Sequence, residues 1–123
     1  MKDLKLYVVA EKLPYLNCKR TRFVGLLVYN EEYLRLYSGA ILGCNSEEAV
    51  IFGVLKGMEL LKEKVNIDFL TDDQKVIDTL NKSFYSGLKQ KLDRYPGKLT
   101  CKLFSSNDPK GIFVLNELRN DRR

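Results

Sequence analysis

The sequence predicts an α/β domain: a five-stranded mixed sheet, its first three strands antiparallel, with helices on both faces. Two observations carry this. Three strand-like runs come first in a meander, and beyond an apolar helix-like run the strands and helices alternate. A meander followed by alternation indicates a mixed sheet with helices packed on it. At 123 residues the chain suits a single domain, 1–123, with one real core.

Leu4 to Ala10 is rich in β-branched and aromatic residues with few breakers, so it reads as a strand. A polar, basic connection from Pro14 to Arg20 follows. RFVGLLVY and YLRLYSGAIL are then two strands joined by Asn30-Glu31-Glu32, a hairpin-like connection. Asn45 is placed to cap the next helix, with Glu48 at capping-box spacing, and the helix is expected over Asn45–Glu63. It is apolar nearly all round from Ala49 to Leu55, which predicts burial on more than one face.

VNIDFL (Val65 to Leu70) is a short strand. In TDDQKVIDTLNK, Thr71 and Gln74 stand at capping-box spacing, and Val76, Ile77 and Leu80 suit a short helix. Ser86 to Tyr95 carries Leu88, Leu92 and Tyr95 at helical spacing, leaving Lys89, Lys91 and Arg94 outward, and Pro96-Gly97 ends it. KLTCKLF alternates, placing Leu99, Cys101 and Leu103 inward and Lys98, Thr100 and Lys102 outward. SSNDPKG is a loop before a closing helix, IFVLNELRN.

Composition narrows the function. There is no histidine, which removes imidazole-based hydrolysis and leaves a zinc site incomplete. Cys18, Cys44 and Cys101 are odd in number with no CxxC pair, so reduced thiols and a cytoplasmic, intracellular location are expected. Lys56 and Glu59 interrupt the longest apolar run, so no membrane association is expected, and the charged N-terminal run reads as a strand and not a signal peptide. The net charge of +5 is lopsided: residues 1–81 hold 11 Lys/Arg against 12 Asp/Glu, and residues 82–123 hold 10 against 4. A one-sided basic field suits a polyanion such as nucleic acid. A solvated lysine-rich surface would look the same from charge alone.

The element order resembles the ribonuclease H fold, and so do three local stretches. Ala49-Val50-Ile51-Phe52-Gly53-Val54-Leu55-Lys56-Gly57-Met58 is similar to the family's first helix, Thr71-Asp72-Asp73-Gln74 to the end of its fourth strand, and Gly25-Leu26-Leu27 to its second strand. The resemblance implies a two-magnesium nuclease for RNA–DNA hybrids, in which clustered carboxylates hold two cations that clamp the scissile phosphate. Matched position by position, the strand aspartate falls on Val9 and the helix glutamate on Val50. Asp72 keeps the third place, and the fourth falls on Asn116 or Glu117, one residue apart. Two valines in one cavity could pack together, each contributing about 1.5–3 kcal/mol when buried. The family's histidine loop is matched only by Ser105-Ser106-Asn107-Asp108.

Three readings follow. The first is a non-catalytic ribonuclease H-like domain, a pseudoenzyme without cofactor. It would bind RNA, DNA or their hybrid through Lys89, Lys91, Arg94, Lys98 and Lys102, with Tyr85 and Tyr95 nearby. The second is a structural subunit holding a protein partner at an exposed apolar patch around Val9 and Val50. The third is a divergent magnesium- or manganese-dependent nuclease rebuilt from Asp72, Glu48, Asp73 and Glu117. Against each acid stands a plainer role: Asp72 as a first-turn acid in a helix capped by Thr71, Glu47 and Glu48 likewise, and Asp68 and Asp73 in solvent.

Overall fold

The structure is a computed structural model that describes residues 3–12, 20–30, 33–42, 46–61, 65–75, 77–78 and 99–120. Strands β1 (Asp3–Lys12), β2 (Arg20–Tyr29), β3 (Tyr33–Leu42), β4 (Asn66–Thr71) and β5 (Leu99–Leu103) form one sheet in the order β3-β2-β1-β4-β5. β1 pairs antiparallel with β2, and β2 with β3, while β1 with β4 and β4 with β5 are parallel. This is the mixed sheet expected, with helix α1 (Ser46–Glu59) on one face and helix α2 (Pro109–Asn120) on the other.

The period-two alternation of β1 builds both cores. Leu4, Leu6 and Val8 join Leu27, Ile67 and Phe69 beneath Val50 and Val54 of α1. Tyr7 and Val9 join Val24, Leu26, Val28 and Leu70 beneath Val114 and Leu118 of α2. Tyr37 brings α1 close to the hairpin. Its ring lies over Gly25, where any Cβ would collide with it, and its hydroxyl donates to the Gly53 carbonyl at 2.6 Å. A Cβ on Gly57 would meet the same hydroxyl and Leu6, so these two glycines of the family-like runs make room for one tyrosine. Asn30, at the end of β2, turns the chain with a φ of 52°, a left-handed conformation that asparagine tolerates.

Several boundaries differ from expectation. α1 ends at Glu59, short of Glu63, because the amides of Leu60 and Leu61 turn onto the carbonyls of Gly57 and Met58 at 3.1 and 3.2 Å. Both leucines then pack against the α1-side core. Burial of α1 is less complete than its composition predicts: Phe52 is 50% exposed. β4 runs through Thr71, which is fully buried in the sheet and whose hydroxyl has no hydrogen-bond partner, so it caps nothing. Asp73 does that work, accepting the Lys75 amide at 2.9 Å as residues 74–75 and 77–78 turn helical and Ile77 is buried. In β5, Cys101 packs inward but Leu103, expected inward, is 45% exposed. β5 is an edge strand with one neighbour, so its last residue has little to cover it.

α2 begins earlier than the apolar pattern suggests, at Pro109, whose fixed φ and missing N–H suit a first helical position. Asp108 caps it, its Oδ1 accepting the amides of Lys110 and Gly111 at 3.0 and 3.4 Å. The expected Ser86–Tyr95 helix lies outside the described residues, as do Val76, Leu80, Cys18 and Cys44. Among the described residues no helix is long and apolar enough to cross a membrane.

Candidate functional site

The carboxyl ends of parallel β1 and β4 are where an open α/β sheet places its chemistry, and two of the family-matched positions, Val9 near the end of β1 and Asp72 just past β4, lie there. Val9 lies there with no solvent exposure, in contact with the α2-side core. Val50 is 1% exposed in the other core, under α1. The two valines therefore do not share a cavity or pack together: Leu4, Leu6 and Val8, not Val9, are the β1 residues in the cluster that holds Val50. Both positions are buried, so neither valine contributes to the exposed apolar patch expected around them.

Asp72 follows Thr71 beyond the end of β4 and reaches solvent. Neighbouring protein atoms still desolvate its carboxyl and raise it above its ordinary value; Asp73 adds to that shift, and the positive charge of Arg119 opposes it. Asn116 and Arg119 are both exposed on α2, while Glu117 and Glu48 are half-buried. Glu47 has no described side chain. Among the described residues no three of His, Cys, Asp or Glu lie close enough to hold a metal ion, so Asp72, Glu48, Asp73 and Glu117 are not gathered into one centre. Glu11, one pleat beyond Val9, stands opposite Arg22 across the β1–β2 ladder.

The loop matched to the family's histidine loop serves a structural purpose. The Tyr7 hydroxyl donates to Asp108 Oδ2 at 2.6 Å, and Tyr7 also meets the Phe104 ring at 5.8 Å between centroids. Burial pushes the Asp108 carboxyl up, but Tyr7, the two capping amides and the Lys5 charge outweigh it and leave it lowered. One aspartate thus starts α2 and pins it to β1.

Of the basic set, Lys89, Lys91, Arg94 and Lys98 lie outside the described residues. Lys102 is exposed and outward as expected, with its ammonium 3.1 Å from Asp68. Asp68, expected in solvent, also accepts the Thr100 hydroxyl at 2.5 Å. These residues, with Asp3, Lys5, Asn30 and Asn66, line an open groove of about 780 Å³ on the α2 side of the sheet. Burial and the Asp68 charge push the Cys101 thiol up to about 12, which removes it as a nucleophile at neutral pH. The sequence reading missed Arg119 and the Tyr7–Asp108 link. Arg119 could have been found, since it lies one helical turn beyond Asn116. Tyr7 and Asp108 are 101 positions apart, and no local pattern joins them.

No protein-family model matches the chain, and no curated protein is similar enough in sequence to match it. Solved structures do match. The chain is similar to LC11-RNase H1, solved in complex with an RNA/DNA hybrid, at 9% identity and a TM-score of 0.65 over 95% of this chain and 96% of that one. It is similar to RNase H1 from the halophilic archaeon Halobacterium salinarum NRC-1 at 14% identity and 0.65, over 97% and 98%. It is also similar to the foamy viral protease-reverse transcriptase, solved with dsDNA, at 11% identity and 0.65, over 98% and 92%. The fold is ribonuclease H-like along nearly the whole chain.

Proposed function

We propose that this is a non-catalytic ribonuclease H-like domain that binds nucleic acid through a basic surface in its C-terminal third. The observation that carries the loss of hydrolysis is the burial of Val9 and Val50, 0% and 1% exposed, at two positions matched to metal-binding carboxylates. Two magnesium ions need several anionic oxygens within reach. Two apolar side chains sealed in separate cores offer none, so the residues present do not fit such a centre. Binding needs no metal, because lysine and arginine neutralise phosphates directly. The reading is supported by the excess of 10 Lys/Arg over 4 Asp/Glu in residues 82–123, and by neighbours in fold that were solved with an RNA/DNA hybrid and with dsDNA.

The test is a titration of labelled hybrid, duplex and single strand at several salt concentrations, beside a cleavage assay with magnesium and manganese. The expected outcome is binding without cleavage, with a log–log salt slope of roughly −0.9 per phosphate contact on duplex. Alanine at Lys89, Lys91 and Arg94 should weaken binding and flatten that slope. Cleavage abolished by Asp72→Asn would establish the nuclease instead.

A second reading, a protein-interaction subunit, is favoured by a different surface from the one the sequence suggested. Leu34 and Leu36 are 52% and 45% exposed on β3, an edge strand ten residues long. Such an edge offers backbone hydrogen bonds to another strand. Failure to bind any nucleic acid at low salt would promote this reading.

A further inference from the structure

β3 is an outer edge of the sheet, and its two faces are unequally covered. α1 reaches β3 as well as β1 and β2, whereas α2 packs chiefly on β1 and β2. Exposure along the strand follows that difference. Tyr37, Gly39 and Ile41 lie on the α1 side and are half-buried, while Leu34, Leu36, Ser38 and Ala40 lie on the α2 side and are exposed. Leu34 and Leu36 stand opposite Val28 and Leu26 in the β2–β3 ladder, so they extend a row of the α2-side core past its last covered strand. An edge that only faces water is usually blunted by charges, a proline or a bulge. β3 has one charged residue, Arg35, no proline, and a one-for-one register with β2 from Tyr33 to Leu42.

We propose that β3 pairs with β3 of a second copy of this chain, antiparallel about a two-fold axis normal to the sheet at Leu36. The result is a dimer with one continuous sheet. This rests on the edge named in the interaction reading above and supplies its occupant; it needs no nucleic acid. Two features select a second copy. The first is that the edge complements itself. An axis normal to the sheet keeps each face on its own side, so residues brought opposite one another share a face. With the axis at Leu36, that leucine meets its counterpart, Leu34 of each copy lies diagonal to it, and Arg35 faces Tyr37. An axis at Arg35 would set two guanidiniums opposite each other, which is repulsive. An axis at Tyr37 would set Leu36 opposite Ser38 and lose the leucine contact. The second feature is charge. Residues 1–81, which include β3, hold 11 Lys/Arg against 12 Asp/Glu, and the basic residues 82–123 supply β5, the opposite edge. Joining at β3 brings two nearly neutral edges together and keeps the basic ones apart. β5 is five residues long, and a β3–β5 contact between copies would not close.

The experiment is sedimentation of the wild type, Leu36→Lys and Ile112→Lys at roughly 1–100 μM, without nucleic acid and beside circular dichroism. Ile112 is the control, an apolar residue of α2 exposed to the same degree as Leu36. A second arm follows hydrogen exchange along β3 in the wild type as its concentration rises. The wild type should dimerise. Leu36→Lys should stay folded and weaken self-association roughly a hundredfold, because an axis through that position counts the substitution twice. Ile112→Lys should associate as the wild type does. Protection of Tyr33–Leu42 should increase with concentration. A monomeric wild type overturns this proposal alone and leaves the interaction reading to the nucleic-acid titration. A dimer that Leu36→Lys leaves intact, or that Ile112→Lys splits, overturns β3 as the interface. Protection of β3 that ignores concentration does the same, even if the lysine variant fails to fold. Growth past the dimer overturns the two-fold axis in favour of an open β3–β5 contact.

Discussion

The two faces of the sheet are built from the same strands and differ in kind. Beneath α1 the side chains of β1 are apolar from the start of the strand: Leu4, Leu6 and Val8, all buried. Beneath α2 the same strand reads Asp3, Lys5, Tyr7, Val9 and Glu11, with a buried apolar middle and polar residues at both ends. One polar end lines the open groove with Asp68, Thr100 and Lys102. The other carries Glu11, opposite Arg22 across the β1–β2 ladder. The α1 face is thus a foundation, and the α2 face is where the chain meets its surroundings. Val9 and Val50, the two family-matched positions that hold valine, are divided between the faces, each packed in its own core.

The largest expected effect sets these faces against each other at adjacent residues of β1. Leu6 has no solvent exposure, and Leu6→Ala should cost about 2–5 kcal/mol by leaving a cavity under α1. Lys5, its neighbour on the groove side, is exposed, and Lys5→Ala should change stability by no more than about 0.5 kcal/mol. Urea unfolding of both variants checks this. Similar losses would mean that the groove is covered and that the α2 face is a second foundation.

Much of this division was legible in the sequence. The element order predicted a mixed sheet with helices on both faces, and the apolar girth of α1 predicted that this helix would be buried. Edge effects were less legible. Leu103 fits the inward phase of KLTCKLF yet is exposed, because period-two patterning says which way a residue points and not whether anything lies there. Thr71 and Gln74 have the spacing of a capping box, but the strand pairs through Thr71↔Leu103, and tertiary pairing took the residue from the helix. At the candidate site, Asp72, Val9 and Val50 were named from the sequence as matched positions, whereas the assignment of the two valines to one cavity failed. A motif match gives positions along a chain and not the side of the sheet that each faces.

The next effect tests that division. Val9→Ala and Val50→Ala should each cost about 2 kcal/mol, from lost burial plus a small void. Because they lie in separate clusters, the double variant should lose the sum to within about 0.5 kcal/mol. A coupling of 1 kcal/mol or more would show the cores communicating through β1, and the contrast between faces would weaken accordingly.

The smallest effect concerns how the α2 face is fastened, and it has a pH signature. Asp108 accepts three hydrogen bonds, from Tyr7 and from the amides of Lys110 and Gly111, and its carboxyl is lowered on balance. A carboxyl lowered by folding adds stability above the ordinary aspartate pKa of about 4. That contribution is lost as pH falls through the lowered folded value. Asp108→Asn keeps a good helix cap but not the charge, so its cost should be modest at pH 7 and should vanish at pH values below the folded carboxyl. Asp108→Ala removes the cap as well and should cost about 1–2 kcal/mol at neutral pH. Part of that cost should survive in acid, since a protonated aspartic acid can still accept at its carbonyl oxygen and alanine cannot. α1 is fastened by the Tyr37 hydroxyl on the Gly53 carbonyl, a contact that contains no carboxylate for acid to protonate, so acid should loosen the α2 side first. Hydrogen exchange across the range from neutral to acid pH measures this directly. Protection in Pro109–Asn120 should fall before protection in Ser46–Glu59, and simultaneous loss would mean that Asp108 does not set the stability of its face.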